Sequence, residues 1–483
     1  MTWLVLAAAV MLPWIAGIAF VLALPRRIAL LDRAGGLAWT LGAGWFAGVL
    51  LLTLWMRALA QVGVPFGIAA VALPLLVAAV ALALLARPRE QPALREARAG
   101  ALRTLRGDGL AGWQRIAWFT LCAWLALRAL LLFSEVTLRP LFPWEGWTIW
   151  ATKARVYYEM RTLVPFVNAE AWASAASGAW FDAAPDAPAT VPLLAAWICT
   201  ALGRYDDVLM NVPWWIAGVA LALAIFGALR EGGLAPLAAL AGTWLAVSLP
   251  LLNAHVALAG YADIFLAGAV TLAALGLYRH AKSRAAGDVA LALAFVAALP
   301  LVKSAGVVWV AAMLPGVAAA LLPARGRKVA GILFGVAAIL VVVLTRTTVP
   351  LGSSTLHLDF VPQWGTLAQR MLLLDNWHLL WYAAAVALVV GARAWRSSTL
   401  QPAVLIVAGG LAYAFVVFAF PIARAWFGEP ASANRTLLVI APLTAALVVL
   451  TARDWIARVG SVQAAAADPG TEVAVSATPL AGA

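Results

Sequence analysis

The run Phe66-Gly67-Ile68-Ala69-Ala70-Val71-Ala72-Leu73-Pro74-Leu75-Leu76-Val77-Ala78-Ala79-Val80-Ala81-Leu82-Ala83-Leu84-Leu85-Ala86 carries no charge and is followed at once by Arg87. A helix that crosses a bilayer needs ~20 mostly apolar residues. In hydrocarbon every backbone N–H and C=O must be satisfied within the segment, so such a run becomes a helix. It is too long and too uniformly apolar for a barrel strand, which alternates apolar and polar residues. The stretch beyond it, from Arg87 to Arg115, also holds Arg89, Arg95, Arg98, Arg103 and Arg106. Arginines concentrated beside an apolar run mark a cytoplasmic loop.

The same alternation continues along the chain. Apolar segments fall at 2–24, 36–58, 114–134, 188–203, 208–229, 233–252, 257–278, 287–302, 304–322, 328–346, 376–394, 401–421 and 433–452. Hydrophobic residues make up 65% of the chain and charged ones 11%. Soluble domains average roughly 45–50% and about 25%, so a single soluble core is excluded. The net charge of +12 is accounted for by basic loops and gives no reason to expect a nucleic-acid partner. Cys122 and Cys199 both lie in apolar stretches and read as small buried hydrophobes, not as a disulfide or metal pair. The first segment has no basic residues before it and reads as a retained helix.

Basic loops at 279–284, 325–328, 393–396 and from Arg453 onward join 87–115 on the cytoplasmic side. Their parity is consistent only if 188–203 or 208–229 does not cross. The stretch 188–203 is short and opens with Pro188 and Pro192, so it is expected to be re-entrant or interfacial. The expected fold is an all-α polytopic membrane protein of about thirteen spans. Its N-terminus lies outside, its C-terminus inside, and loops 135–187, 347–375 and 422–432 face the periplasm. The division is 1–112 (added helices and a basic loop), 113–346 (core), 347–455 (loop and last helices) and 456–483 (tail). From Gln463 the tail is rich in small residues and reads as disordered.

The first large loop carries the densest chemistry: Pro143-Trp144-Glu145-Gly146-Trp147-Thr148-Ile149-Trp150-Ala151-Thr152-Lys153-Ala154. Pro143 suits a helix start. Trp144, Trp147 and Trp150 recur every three residues, a spacing that sets indoles on one face of an interfacial helix. Glu145 falls in the first turn, where the helix dipole favours a carboxylate. Beside indoles its basicity would rise, which suits a general base. Of the chain's four lysines, Lys153 and Lys303 map to the periplasmic edge. Asp263 sits at the end of an apolar span, a costly place for an acid without a task or partner. Arg435 also opens a span from the periplasmic side, against the usual charge bias, which fits a phosphate partner. Asp182 reads as a solvated loop acid, and His255 and His357 match no metal-ligand spacing.

The loop motif resembles the first periplasmic loop of bacterial GT-C glycosyltransferase-like membrane proteins, which carry a Trp-Asp-x-Trp-x-x-Trp-x-x-Lys pattern there. Gly260-Tyr261-Ala262-Asp263, Lys303-Ser304-Ala305-Gly306 and Asn434-Arg435 recur in similar order in that family. The resemblance spans roughly 114–450 and implies a GT-C-like fold with helices in the periplasmic loops. It also implies transfer of a sugar from a polyprenyl-phosphate donor to an envelope glycan, lipid or protein, in a bacterial inner membrane. In that reading Glu145, which replaces the commoner Asp, is the base, with Asp263 beside it among the catalytic residues. Lys153, Lys303 and Arg435 hold the donor phosphate, and the tryptophans stack on sugar. Asp186 with Pro188 stands in part for a His-Pro-Pro-type signature. The resemblance assigns no definite cofactor, and a divalent metal is admitted if Glu145, Asp186 and Asp263 converge. A lipid or glycan transporter and a noncatalytic envelope-assembly protein remain the alternatives.

Overall fold

The apolar runs do become helices. In the computed structural model these are α1 (Thr2–Ala23), α2 (Gly36–Gln61), α3 (Ile68–Leu105), α4 (Gly112–Leu138), α5 (Thr152–Met160) and α6 (Ala169–Ser174). They continue as α7 (Thr190–Leu202), α8 (Val212–Glu231), α9 (Pro236–Val247), α10 (Pro250–Ala257), α11 (Asp263–Ser283) and α12 (Ala286–Val302). The last are α13 (Gly306–Leu321), α14 (Ala324–Leu344), α15 (Trp364–Ala368), α16 (Leu380–Trp395), α17 (Gln401–Ala419) and α18 (Ala431–Ala467). Beside them stand a 3-10 turn at Leu209–Asn211, π-turns at Gly146–Ala151 and Gln369–Leu373, and two short strand pairs: β1 (Phe166–Val167) parallel to β2 (Trp180–Phe181), and β3 (Val349–Leu351) antiparallel to β4 (Ser354–Leu356). The structure describes residues 1–174, 178–351, 354–356, 358–395, 399–421 and 431–467. His357, most of the expected loop 422–432 and the tail from 468 lie outside them.

Among the described residues nine helices are long and apolar enough to cross a membrane, or ten if one bent pair counts as a span. The chain is therefore a multi-pass α-helical membrane protein. Several boundaries differ from the sequence expectation. The segment 233–252 is broken into α9 and α10, bent by 68°. Pro250 opens α10 at its first position and cannot donate to the preceding turn. The spans expected at 287–302, 304–322 and 376–394 are helices of 17, 16 and 16 residues, shorter than the ~20 that cross a bilayer unaided. The short segment at 188–203 forms α7, 13 residues long. It packs against α1, α2 and α5 rather than lying free at a surface.

The basic stretch after Ala86 is not all loop. The apolar helix carries on through Pro88 and Pro92 to Leu105. There Glu90 is buried and its two carboxylate oxygens accept from the backbone N–H of Leu30 and Leu31, at 3.0 and 3.1 Å. A buried carboxylate needs such donors, and here they pin the charged extension to the α1–α2 turn. At the chain's other end, α18 likewise runs past Gln463 to Ala467.

Helices α1 and α2 pack closely through Gly44 and Gly48, spaced i, i+4. A Cβ at Gly48 would stand 1.9 Å from the Pro13 carbonyl oxygen. Small residues at that spacing let backbones touch, which drives helix association in lipid. Both helices contribute to one large hydrophobic core with α7, α8, α11 and α17 among others. Trp197 of α7 donates its indole N–H to the Ala9 carbonyl at 2.9 Å.

Helix α11 is central: every residue from Asp263 to Arg279 is buried. At its Arg279 end, charges are tied into a knot. Asp288 accepts from Arg26 at 3.3 Å, from Arg33 at 2.6 Å and from the Ser283 hydroxyl at 3.1 Å. Glu231 pairs with Arg33 and Arg279, and the Arg279 guanidinium lies 4.4 Å over the Trp39 ring. Asp288→Asn leaves three arginines sharing one acid. Removing one partner from a buried charge group costs about 3–5 kcal/mol. The unfolding midpoint in detergent should fall accordingly, and an unchanged midpoint contradicts the assignment.

Candidate functional site

At the opposite end of α11, about 24 Å away along the axis, a second charged group forms around the first large loop. The chain leaves α4 at Leu138, turns through Pro140 and Pro143, and re-enters a helix at Trp144. The Pro143 carbonyl accepts from the Trp147 N–H at 3.1 Å. From Gly146 to Ala151 the helix widens into a π-turn before α5 begins. A π-turn breaks the angular step on which the three-residue spacing relied. The three indoles accordingly do not share one face. Trp144 and Trp147 are exposed and meet edge to face with centroids 5.0 Å apart, whereas Trp150 is buried in the core.

The turn between α10 and α11 presses on this loop from below. Gly260 has φ +107°, and a Cβ there would lie 2.6 Å from Leu141 Cδ1 and 3.1 Å from Gly146 Cα. Only glycine fits that conformation and that gap. Gly260→Ala should cost about 1–3 kcal/mol and push Gly146, hence the neighbouring Glu145, out of register. If the site works through Glu145, activity should fall more than stability does. Equal losses of folded protein and activity would make the effect merely structural.

Four charged residues from four segments meet here. The Glu145 carboxylate pairs with the Arg435 guanidinium at 2.5 Å. That guanidinium also lies 4.3 Å over the Tyr261 ring. One turn away, Lys303 Nζ donates to Asp263 Oδ1 at 2.6 Å. Arg435 lies within electrostatic reach of both Asp263 and Glu145. Glu145 is the open member, its side chain 41% exposed, whereas Asp263 is 2% exposed beneath it. The Tyr261 carbonyl is fixed by the Trp214 indole N–H at 2.7 Å, which holds the turn carrying Asp263. Burial raises the Tyr261 hydroxyl above its ordinary value, against the opposing pull of Arg435.

His255, set aside on metal spacing alone, belongs to this group. Its buried ring packs 5.2 Å from the Tyr261 ring, and its Nδ1 faces Asp263 Oδ2 at 3.9 Å. That separation exceeds a hydrogen bond, and neither atom has a protein partner. The helical spacing from His255 across a turn to Asp263 gave no sequence motif.

Lys153 stands elsewhere and does other work. Its side chain is fully buried, and Nζ donates to the carbonyls of Ala184, Pro185 and Ala187 at 2.6, 3.0 and 3.0 Å. With three acceptors filled, the ammonium has no donor left for a phosphate. Asp182, expected in solvent, is also fully buried, 3.7 Å from Lys153 Nζ. Burial raises the Asp182 carboxyl and lowers the Lys153 ammonium from their ordinary values, and each charge offsets part of the other's penalty. Asp186 is exposed on the turn that Lys153 holds. It does not converge with Glu145 and Asp263 as a ligand set: among the described residues no three of His, Cys, Asp or Glu are placed to bind a metal.

Comparison with protein families, with curated proteins and with solved structures gives no match for this chain.

Proposed function

We propose that the chain is a GT-C-type glycosyltransferase of the bacterial inner membrane, with its site facing the periplasm and a polyprenyl-phosphate-linked sugar as donor. The observation that carries this reading is the exposed Glu145 carboxylate held on Arg435 beside the Asp263–Lys303 pair. A phosphate is a better bidentate partner for arginine than a single carboxylate contact. Donor phosphate arriving at Arg435 takes the guanidinium and releases Glu145. The freed carboxylate removes the proton from an acceptor hydroxyl. The acceptor oxygen attacks the anomeric carbon with inversion, and the bond from that carbon to the phosphate oxygen breaks. Arg435 and Lys303 neutralise the charge that develops on the leaving phosphate. Asp263 fixes Lys303 at the required place. Trp144 and Trp147, exposed at the rim, offer faces for the sugar, and the tail lies in the bilayer.

One observation favours transport instead. Discontinuous helices such as α9–α10 are used by transporters at their binding sites. Reconstituted vesicles separate the two readings. Supplied with labelled polyprenyl-phosphate sugars and envelope extract, the transferase moves label onto an acceptor. Label that changes leaflet with its donor bond intact would replace this reading with a flippase.

A further inference from the structure

Arg128 is a cation that the candidate site does not use. It lies inside α4, between the uncharged stretches 121–127 and 129–133. A guanidinium within an apolar span is costly and, when retained, faces a partner or a cavity. Among the described residues Arg128 has no carboxylate partner. Its hydrogen bond is a long one, Nε to Asn253 Oδ1 at 3.4 Å. Asn253 is itself held in place: its amide donates to the carbonyls of Val247 and Leu249 at 3.1 and 2.9 Å, repairing the break between α9 and α10.

Two neighbouring indoles on α8 place Arg128 relative to the candidate site. Trp215 donates to the Ala129 carbonyl at 2.8 Å, and Trp214 to the Tyr261 carbonyl at 2.7 Å. Arg128 lies about 15 Å along α4 from its end at Leu138, with α8 between it and the candidate site. It borders two cavities, of about 820 Å³ and about 570 Å³. The larger lies between α2, α3, α4 and α8, with walls that are mostly apolar and a far end lined by Asp32, Arg33, Glu96, Arg103 and Arg230. Along α4 it runs from Leu132 down to Trp118, about 21 Å, a length that suits an acyl chain. Arg128 beside apolar walls matches an anion carrying a long tail, and a free anion would find no counterpart for those walls.

We infer that Arg128 and the larger cavity bind an anionic phospholipid. Its phosphate lies on the guanidinium and an acyl chain fills the slot between α3, α4 and α8. The site is separate from Glu145 and Arg435 and does not depend on their chemistry.

The test uses the full chain in phosphatidylcholine nanodiscs doped with phosphatidylglycerol, with lipid retained after delipidation read by native mass spectrometry. The wild type should keep phosphatidylglycerol in preference to phosphatidylcholine. Arg128→Gln should keep about tenfold less, the loss of one charge-assisted contact. Arg128→Lys should fall between them, and Arg139→Gln, a change at an exposed arginine outside the cavity, should match the wild type. Ala222→Trp fills the slot while leaving Arg128 intact, so it should also lose the lipid and serves if Arg128→Gln does not fold. Equal retention by Arg128→Gln or by Ala222→Trp overturns the inference. So does displacement of the lipid by inorganic phosphate, which would make this a site for free anions.

Discussion

Under the proposed transferase reading, Glu145→Gln should lower sugar transfer by roughly 10²–10⁴-fold, the usual contribution of a positioned general base, while the protein folds and still holds its donor. Glutamine keeps the shape of the side chain and can still meet Arg435 through its amide oxygen. What it lacks is the ability to take a proton. The loss should therefore appear in kcat with little change in KM. Arg435→Gln should act the other way. It leaves Glu145 free but removes the group proposed to receive the phosphate, so KM should rise along with the loss of kcat. Turnover by Glu145→Gln close to that of the wild type would rule out the base assignment, and would leave the ion pair as a strut between the first loop and α18.

Lys153→Ala should lower stability by about 3–5 kcal/mol, because it leaves the Asp182 carboxylate buried without its cation. It also strips three carbonyls on the turn 184–187 of their donor. The double change Lys153→Met with Asp182→Asn should recover much of the loss, since a buried ion pair can be replaced by groups of similar volume at small cost. Denaturation in mild detergent reads both variants. If Lys153 instead held the donor, Lys153→Met would keep the wild-type midpoint and weaken donor binding, which is the opposite pattern.

The contrast between these two residues marks how far the amino-acid sequence could be read. Unbroken apolar runs made the multi-pass helical architecture legible, because nothing else satisfies a backbone in lipid. Glu145, Asp263, Lys303 and Arg435 stood out because each is a charge at the edge of an apolar run, and the structure brings those four together. Lys153 stood out for the same reason, yet its destination was hidden. Its partner Asp182 and its three carbonyl acceptors lie about thirty residues on, in a turn with no repeating pattern. The tryptophan stripe failed because a π-turn cannot be told from an α-turn by spacing alone. Asp186 and Asp182 exchanged roles because burial in an irregular loop is set by tertiary contacts. Arg128 was masked by the apolar average of its span. The break between α9 and α10 is written in the sequence as Pro250, since proline there removes a backbone donor.

The most direct test of the central claim is mass spectrometry of the lipids that copurify with the wild type, Glu145→Gln and Arg435→Gln from native membranes. The account predicts a polyprenyl phosphate, or its sugar conjugate, on the wild type and on Glu145→Gln, and its loss from Arg435→Gln. Bulk phospholipids alone on all three would contradict the claim that this site receives a lipid-linked phosphate.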